Sequence, residues 1–425
     1  MAMAQTIRLF EHGVLKVGQT YATVEGGRAR YTNTHHKALT RFHDRGGHRY
    51  YALGHRKVRF KHYVGVVRIG ALTLEVLPKT DRQSSRDVDG ARWHDALLGM
   101  LRITRRLTLH TPTSADLRVQ KQTLFDLYIA HFLTLVEDLI RRGLVRRYRT
   151  VVGNRTTFKG RLLCPGHIRA NLARPDRFYV AHQEYDHEHL INRVLATALD
   201  AIASLALPHG LRAYHRRVRL SFPDVCPIAD IDGRHFDRIV LTRRSAHYRA
   251  AIDLARLIVL NYAPDVSTGA EHLLAVMFDM NVLFEQFVGT MARRLQLPGV
   301  NVRRQVVRSF SRSDERVRII KPDLLVDRPP APPLVIDTKW KVPSSGQPSS
   351  PDLKQMYVYN QYFDALRCVL LYPRPTGQTR RAESAHGEFV DAGHAWSTVY
   401  LDIFDDGTFA PRRVQEQLRD LLRSS

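Results

Sequence analysis

Cysteine is scarce in this chain. Its three thiols, Cys164, Cys226 and Cys368, are odd in number, far apart and without a C-x-x-C neighbour. That pattern excludes a disulfide scaffold and a zinc ribbon, and it fits a reducing compartment. The opening MAMAQTIRLFEHG has no apolar core of signal-peptide length, and no uninterrupted apolar run is long enough to cross a bilayer. A cytoplasmic protein without a membrane partner is expected. No G-x-x-x-x-G-K-[ST] loop occurs, so this chain is expected to bind no nucleotide itself, and any nucleotide hydrolysis falls to another chain. Acidic residues are also short: 41 Asp and Glu face 65 Lys and Arg, a formal net charge of +24. Such an excess favours a polyanionic partner, DNA or RNA, over a merely solubilising surface.

An apolar fraction of 44% is ordinary for a globular protein, and 425 residues suffice for two or three domains. The fold class expected is α/β, more exactly a multi-domain α+β chain in three parts. Residues 1–85 alternate short β-like runs with Gly-, Asn- and His-rich turns, the clearest being a hairpin over 62–79 that turns near Ile69-Gly70. The polar stretch 80–90 reads as a linker. Residues 91–265 are mostly helical, with a helix over 124–144 stopped at Gly143 and others near 187–206 and 246–262. Within them, 141–180 holds eleven Lys or Arg against the single acid Asp176, and RTVVGNRTTFKGRLL reads as a hairpin turning at Gly153-Asn154. Residues 271–425 open with a helix over 277–295, then read strand, Pro-rich turn, strand, helix, strand, strand.

The chemistry concentrates in RVRIIKPDLLVDRPPAPPLVIDTKWK (316–341). Proline offers no ladder donor, so RPPAPP marks the tip of a hairpin between two apolar runs. Folding about Pro330 or Ala331 sets Asp323 across from Asp337 or its neighbour, with Lys339 alongside. Two carboxylates plus a backbone carbonyl suit a hard cation such as Mg²⁺, with Mn²⁺ as an alternative. A lysine beside them can orient or deprotonate an attacking water. Against this stands a surface strand with an exposed Asp–Lys pair, worth little energetically. Three features favour the site. Asp323 directly follows Pro322, Glu285 on the preceding helix offers a third acid, and the next helix carries Gln355 and Tyr359 one turn apart. That helix is expected to use Ser350 as N-cap, with Pro351 and Asp352 in its first turn. Lys341 reads as a DNA or solvent contact. The His-rich stretch 43–55 matches no metal-ligand spacing, HQEYDHEHL (182–190) reads as a helix start capped by Asp186, and Cys164 has no base partner.

Together, Glu285, Pro322-Asp323, Asp337-Thr338-Lys339 and Gln355…Tyr359 resemble the PD-(D/E)xK nuclease core, a mixed sheet flanked by helices. LRCVLLYP (366–373) and STVYLDIFD (397–405) fall where its sheet is completed. MNVLFEQFV, VIDTKWK, QMYVYNQYF and LLYP, with TFKGRLLCPGHIRANLARPDRFYVAHQEYDHEHLINRVLATAL and VRIGALTLEVLPKT upstream, are similar to the McrC family. These are the endonuclease subunits of bacterial McrBC modified-cytosine restriction systems. The resemblance implies metal-dependent phosphodiester cleavage of DNA, methylated in this system. It makes Asp323, Asp337 and the Thr338 carbonyl metal ligands, Lys339 the water-handling group and Glu285 a supporting acid. It also implies a hexameric AAA+ GTPase partner, McrB, whose hydrolysis the subunit stimulates. The basic segment around Arg149, Arg155, Lys159 and Arg161 is a candidate contact for that partner or for DNA. Two other readings stay open: a stand-alone repair or defence nuclease, and a catalytically silent basic adaptor.

Overall fold

A computed structural model describes residues 5–79, 87–104, 124–263, 272–313, 317–341, 343, 347–375, 385–390 and 392–423. Contacts divide the chain into two compact units. One contains residues 68–71 and 121–276, the other residues 5–67, 72–120 and 277–425. The class is mixed α/β with several sheets.

The first unit is chiefly helical. Leu124–Arg142 buries Leu127, Phe132, Val136 and Leu139 at helical spacing, and Gly143, at φ 86°, ends it where a left-handed residue is easiest to place. Leu190–Ala203 buries Ile191, Val194, Leu195, Ala198, Leu199 and Ile202, a continuous stripe along one face. Its cap is His189, whose ring accepts from Ile191 N, whereas Asp186, expected in that role, accepts from Glu188 N. The basic segment also departs from expectation. Arg147–Arg155 runs as one unbroken strand, antiparallel to Phe178–Asp186, so Gly153 and Asn154 sit mid-ladder opposite Val180 and Tyr179. The reason is electrostatic as well as steric. Phe178–Asp186 brings Glu184 and Asp186 to the arginines, and Gly153 shows no positive φ of the kind a two-residue hairpin turn needs.

In the second unit, strand Gln5–Phe10 pairs in parallel with Leu72–Leu77. Gly70, φ 54°, follows strand Tyr63–Ile69 where the sequence placed a turn. Among the expected strands lies a helix, Asn33–Asp44, capped by Thr32 in a reciprocal box with His35. Another, Asp87–Ile103, begins inside the stretch read as linker. These elements do not stand apart from the C-terminal residues. Glu11, 6% exposed, accepts from Trp340 Nε1 at 2.7 Å and from Lys79 N at 2.8 Å, and Trp93 meets the Trp340 ring edge-on. The contacts therefore group 5–67 with 277–425, a different division from the three segments read in the sequence.

A six-stranded mixed sheet carries the site. Its order is Asn301–Arg304, Leu324–Arg328, Ala331–Thr338, Arg367–Pro373, Ala395–Leu401 and His386–Glu388. Leu324–Arg328 and Ala331–Thr338 form the expected hairpin about the proline tip, with Leu324 opposite Ile336. Ala331–Thr338 then runs parallel to Arg367–Pro373, and helix Ser350–Phe363 makes the crossover such a pair requires. The apolar run HLLAVMFD ends in a strand, Leu273–Asp279, and the following helix starts at Met280 behind the Asp279 cap, three residues later than expected. Beneath the site, Leu325, Val335, Met356, Phe363, Cys368 and Leu370 form a closed core.

Candidate active site

The hairpin register decides the geometry. Because Leu324 faces Ile336, the next residues outward, Asp323 and Asp337, come together at the open end of the strand pair. Asp323 Oδ2 accepts from Thr338 N at 2.8 Å and from Thr338 Oγ1 at 2.6 Å. Its Oδ1 has no hydrogen-bond partner among the described residues. Asp337 is 2% exposed. Burial first, and Asp323 second, push its carboxyl well above the usual range against the pull of Lys339.

Lys339 follows the last residue of the strand, and its backbone N continues the ladder to Leu371 O. Its Nζ lies 2.7 Å from Asp337 Oδ2 and donates to Gln355 Oε1 at 2.8 Å. Gln355 Nε2 donates to Tyr359 OH at 2.8 Å and lies 3.4 Å from Asp337 Oδ1. Tyr359 OH donates to Lys321 O at 3.1 Å, and burial pushes its hydroxyl up to about 12, so it stays a neutral donor. A chain of hydrogen bonds thus ties one face of the crossover helix to both arms of the hairpin.

Glu285 comes from helix Met280–Arg294. Its Oε1 accepts from Gln305 Nε2 at 2.5 Å and lies 3.6 Å from Arg304 Nη2. Burial, then the Asp323 charge, raise its carboxyl. Gln305 was not legible in the sequence. It sits between strands at φ 52°, donates its N–H to Asp323 O at 3.1 Å, and so holds Glu285 and Asp323 in one frame. Asp352 was placed only as a helix-start residue. Burial raises its carboxyl, but hydrogen bonds from Lys341 (2.5 Å) and Ser349 (2.6 Å) outweigh that and leave it below the ordinary range. Lys341, expected to face DNA or solvent, is exposed and pairs with Asp352. The helix N-cap is Ser349, one residue before the expected Ser350.

Among the described residues, no three His, Cys, Asp or Glu side chains gather into a metal cage. The donors that do converge are oxygens. Among the described residues, Asp337 Oδ2 is buried without an aligned hydrogen-bond donor, and both side-chain hydrogen bonds of Asp323 go to Oδ2. A pair of carboxylates with room for waters fits Mg²⁺ better than a softer metal, because Mg²⁺ retains several waters and is commonly held by one or two carboxylates.

The basic residues 149–161 lie in the other unit and are partly neutralised. Arg149 pairs with Asp186 at 2.8 Å and Arg155 with Glu184 at 2.8 Å, whereas Lys159 and Arg161 are exposed and make no ion pair among the described residues. Exposed Tyr148 and Tyr185 pair across the ladder at 4.7 Å.

A mixed α/β chain in which buried Asp337 lies beside Asp323, with Lys339 held between Asp337 and a crossover helix, is the class that the fold and site define. Residues 58–373 match the family described as McrBC 5-methylcytosine restriction system component, and the chain belongs to that family. The McrC resemblance read from VIDTKWK and QMYVYNQYF falls inside the matched region. Among solved structures, it is similar to a chain of the refined half-complex from the tetradecameric assembly of Thermococcus gammatolerans McrB AAA+ hexamers with bound McrC. Identity is 20%, the TM-score 0.66, and the match covers 98% of this chain and 100% of that one. A chain of the T. gammatolerans McrBC complex solved by cryo-EM is also similar, at 20% identity and TM-score 0.45, over 68% of this chain and 87% of that one. No curated protein matches at a significant level. No described helix is long and apolar enough to cross a membrane.

Proposed function

We infer that the chain is the nuclease subunit of a modification-dependent restriction system, cutting DNA by metal-dependent phosphodiester hydrolysis in a PD-(D/E)xK-type site. The observation that carries this is the convergence of Asp323, Asp337 and Lys339 at one end of a buried hairpin, with Gln355 holding the lysine. An exposed Asp–Lys pair would show neither the burial nor the shared partners. Asp323, Asp337 and the Thr338 carbonyl would hold Mg²⁺, and Mn²⁺ is the natural substitute. When bound, the metal acidifies a water and neutralises charge on the phosphate. The protein's own part is positional. Asp337 and Gln355 fix the Lys339 ammonium, which orients the attacking water toward phosphorus. Glu285, its carboxyl raised by burial and by Asp323, supports the water side of the site. Tyr359 anchors Gln355 to the Lys321 carbonyl and keeps the helix in register with the hairpin.

Lys339→Ala is expected to remove cleavage of plasmid DNA in Mg²⁺ by at least about a hundredfold while leaving the melting temperature within a few degrees. Full activity in that variant overturns the assignment.

The T. gammatolerans relative is bound to McrB AAA+ hexamers. By that likeness this chain works with an AAA+ GTPase of the same kind and stimulates it. Methylated DNA is the substrate in keeping with the family. The exposed Lys159 and Arg161, with Arg155 and Arg149 behind them on the strand pair, are the candidate contact. Arg155→Ala with Lys159→Ala should lose GTPase stimulation and keep DNA binding. Unchanged stimulation moves the contact elsewhere.

A further inference from the structure

Helix Met280–Arg294 carries more than Glu285. Gln286, Thr290, Arg293 and Arg294 recur at i, i+4, i+7 and i+8, and with Arg304 they line an open cleft of about 430 Å³ beside Ile103 and Thr104. Three guanidinium groups line it, and no described carboxylate does. Arg294 donates one N–H to Ile103 O at 3.3 Å, and Arg293 is exposed without an ion pair among the described residues.

Arginines in the last turn of a helix ordinarily serve the negative end of its dipole. That accounts for Arg293 and Arg294, whereas Arg304 is placed by the fold and also faces Glu285 at 3.6 Å. Arg304 comes from the neighbouring strand and lies against the same helix because residue 289 is glycine. A Cβ there would stand 2.6 Å from Arg304 Nε and 3.2 Å from Leu324 Cδ2, so a larger residue displaces the guanidinium. Arg304 Nε is buried and has no hydrogen-bond partner among the described residues, while Nη2 reaches toward Glu285 at 3.6 Å. The helix is thus cut back at one position to admit a cation that its own dipole does not require.

We propose that this cleft is a phosphate subsite, holding a backbone phosphate of the DNA strand a few nucleotides from the bond that is cut. The proposal rests on the nuclease reading for its substrate class. Guanidinium forks match phosphate oxygens in pairs and are the side chains best suited to this task. The spacing agrees. Arg293 and Arg294 lie eight and nine residues beyond Glu285, about 12–13.5 Å along the helix axis at 1.5 Å per residue. One strand of B-form DNA advances about 3.4 Å per phosphate along its axis, so a separation of this size corresponds to a few nucleotides.

The test uses the full chain and a fluorescein-labelled duplex, with binding read by anisotropy in chelator across a salt series and cleavage run in parallel with Mg²⁺, the AAA+ partner and GTP. The Arg293→Ala/Arg294→Ala variant should bind about tenfold more weakly, and its slope of log affinity against log salt should fall by about one phosphate contact. Arg293→Lys/Arg294→Lys should recover most of the affinity, because charge is retained. Gly289→Ala should weaken binding in the same direction by displacing Arg304. Unchanged affinity and slope in the double alanine variant overturn the subsite. If the wild type fails to cleave while the binding loss stands, the nuclease reading falls and the subsite remains. Intact cleavage with unchanged binding removes the subsite alone, and a wild type that does not bind the duplex overturns both.

Discussion

Lys339 takes its orientation from three acceptors, Asp337, Gln355 and, at 3.9 Å, Asp352. At this scale Gln355 matters more than its uncharged amide suggests, because it touches Lys339, Tyr359 and Asp337 together. Gln355→Ala should lower single-turnover cleavage about 10–100-fold with little loss of stability, the usual cost of removing a group that orients a ligand or lysine. Parent-like rates would show that the helix merely packs. Asp337 supplies a pH signature. Its carboxyl is raised by burial and by Asp323, so it holds its proton to higher pH than an exposed aspartate. Cation binding needs the ionised form and must release that proton. Mg²⁺ or Mn²⁺ affinity, read by calorimetry, should therefore weaken as pH falls through the neutral range, with more protons released per metal at the lower pH. Affinity independent of pH would count against Asp337 as a ligand. The acid pair and its lysine were legible because two apolar runs about a proline tip set Asp323 across from Asp337 or its neighbour, and the pairing of Leu324 with Ile336 selects Asp337. Gln305 was not, because its left-handed backbone and its bond to Glu285 arise from how a helix and two strands meet.

Among the elements, the segment after the first strand is wired to the site strand through one buried acid. Glu11 accepts from Trp340, the neighbour of Lys339, and Trp340 in turn packs on Phe284, the neighbour of Glu285. Burial, opposed by the Trp340 and Lys79 hydrogen bonds, raises the Glu11 carboxyl to about 7. The folded state thus binds this proton more tightly than the unfolded chain does. The resulting stabilisation is complete below the unfolded value near 4.5 and is lost as pH rises through about 7. Glu11→Gln should flatten that decline, by at most about 3 kcal/mol between pH 5 and pH 8 in urea unfolding. Equal slopes in both proteins would contradict the assignment. Amphipathic periods made the long helices readable. Helix Asn33–Asp44 escaped because its stripe is only Ala38, Leu39 and Phe42 and its capping box uses His35 in place of Glu or Gln. The basic segment was misread for a different reason. Gly-Asn is a strong local turn signal, and here the pairing of Arg149 and Arg155 with Glu184 and Asp186 overrides it.

For the whole molecule, the formal charge of +24 makes any duplex interaction strongly salt-dependent, so comparisons of variants belong at one ionic strength. The family match spans residues 58–373, to the strand beyond the site, and includes both Trp93 and Trp340, whose rings meet edge-on. The most direct test of the central claim is cleavage of a methylated duplex by this chain in Mg²⁺, with its AAA+ partner and GTP, run beside Asp337→Ala. The wild type should cut, and Asp337→Ala should leave the DNA intact while still stimulating GTP hydrolysis. Equal cutting by both proteins would contradict the account.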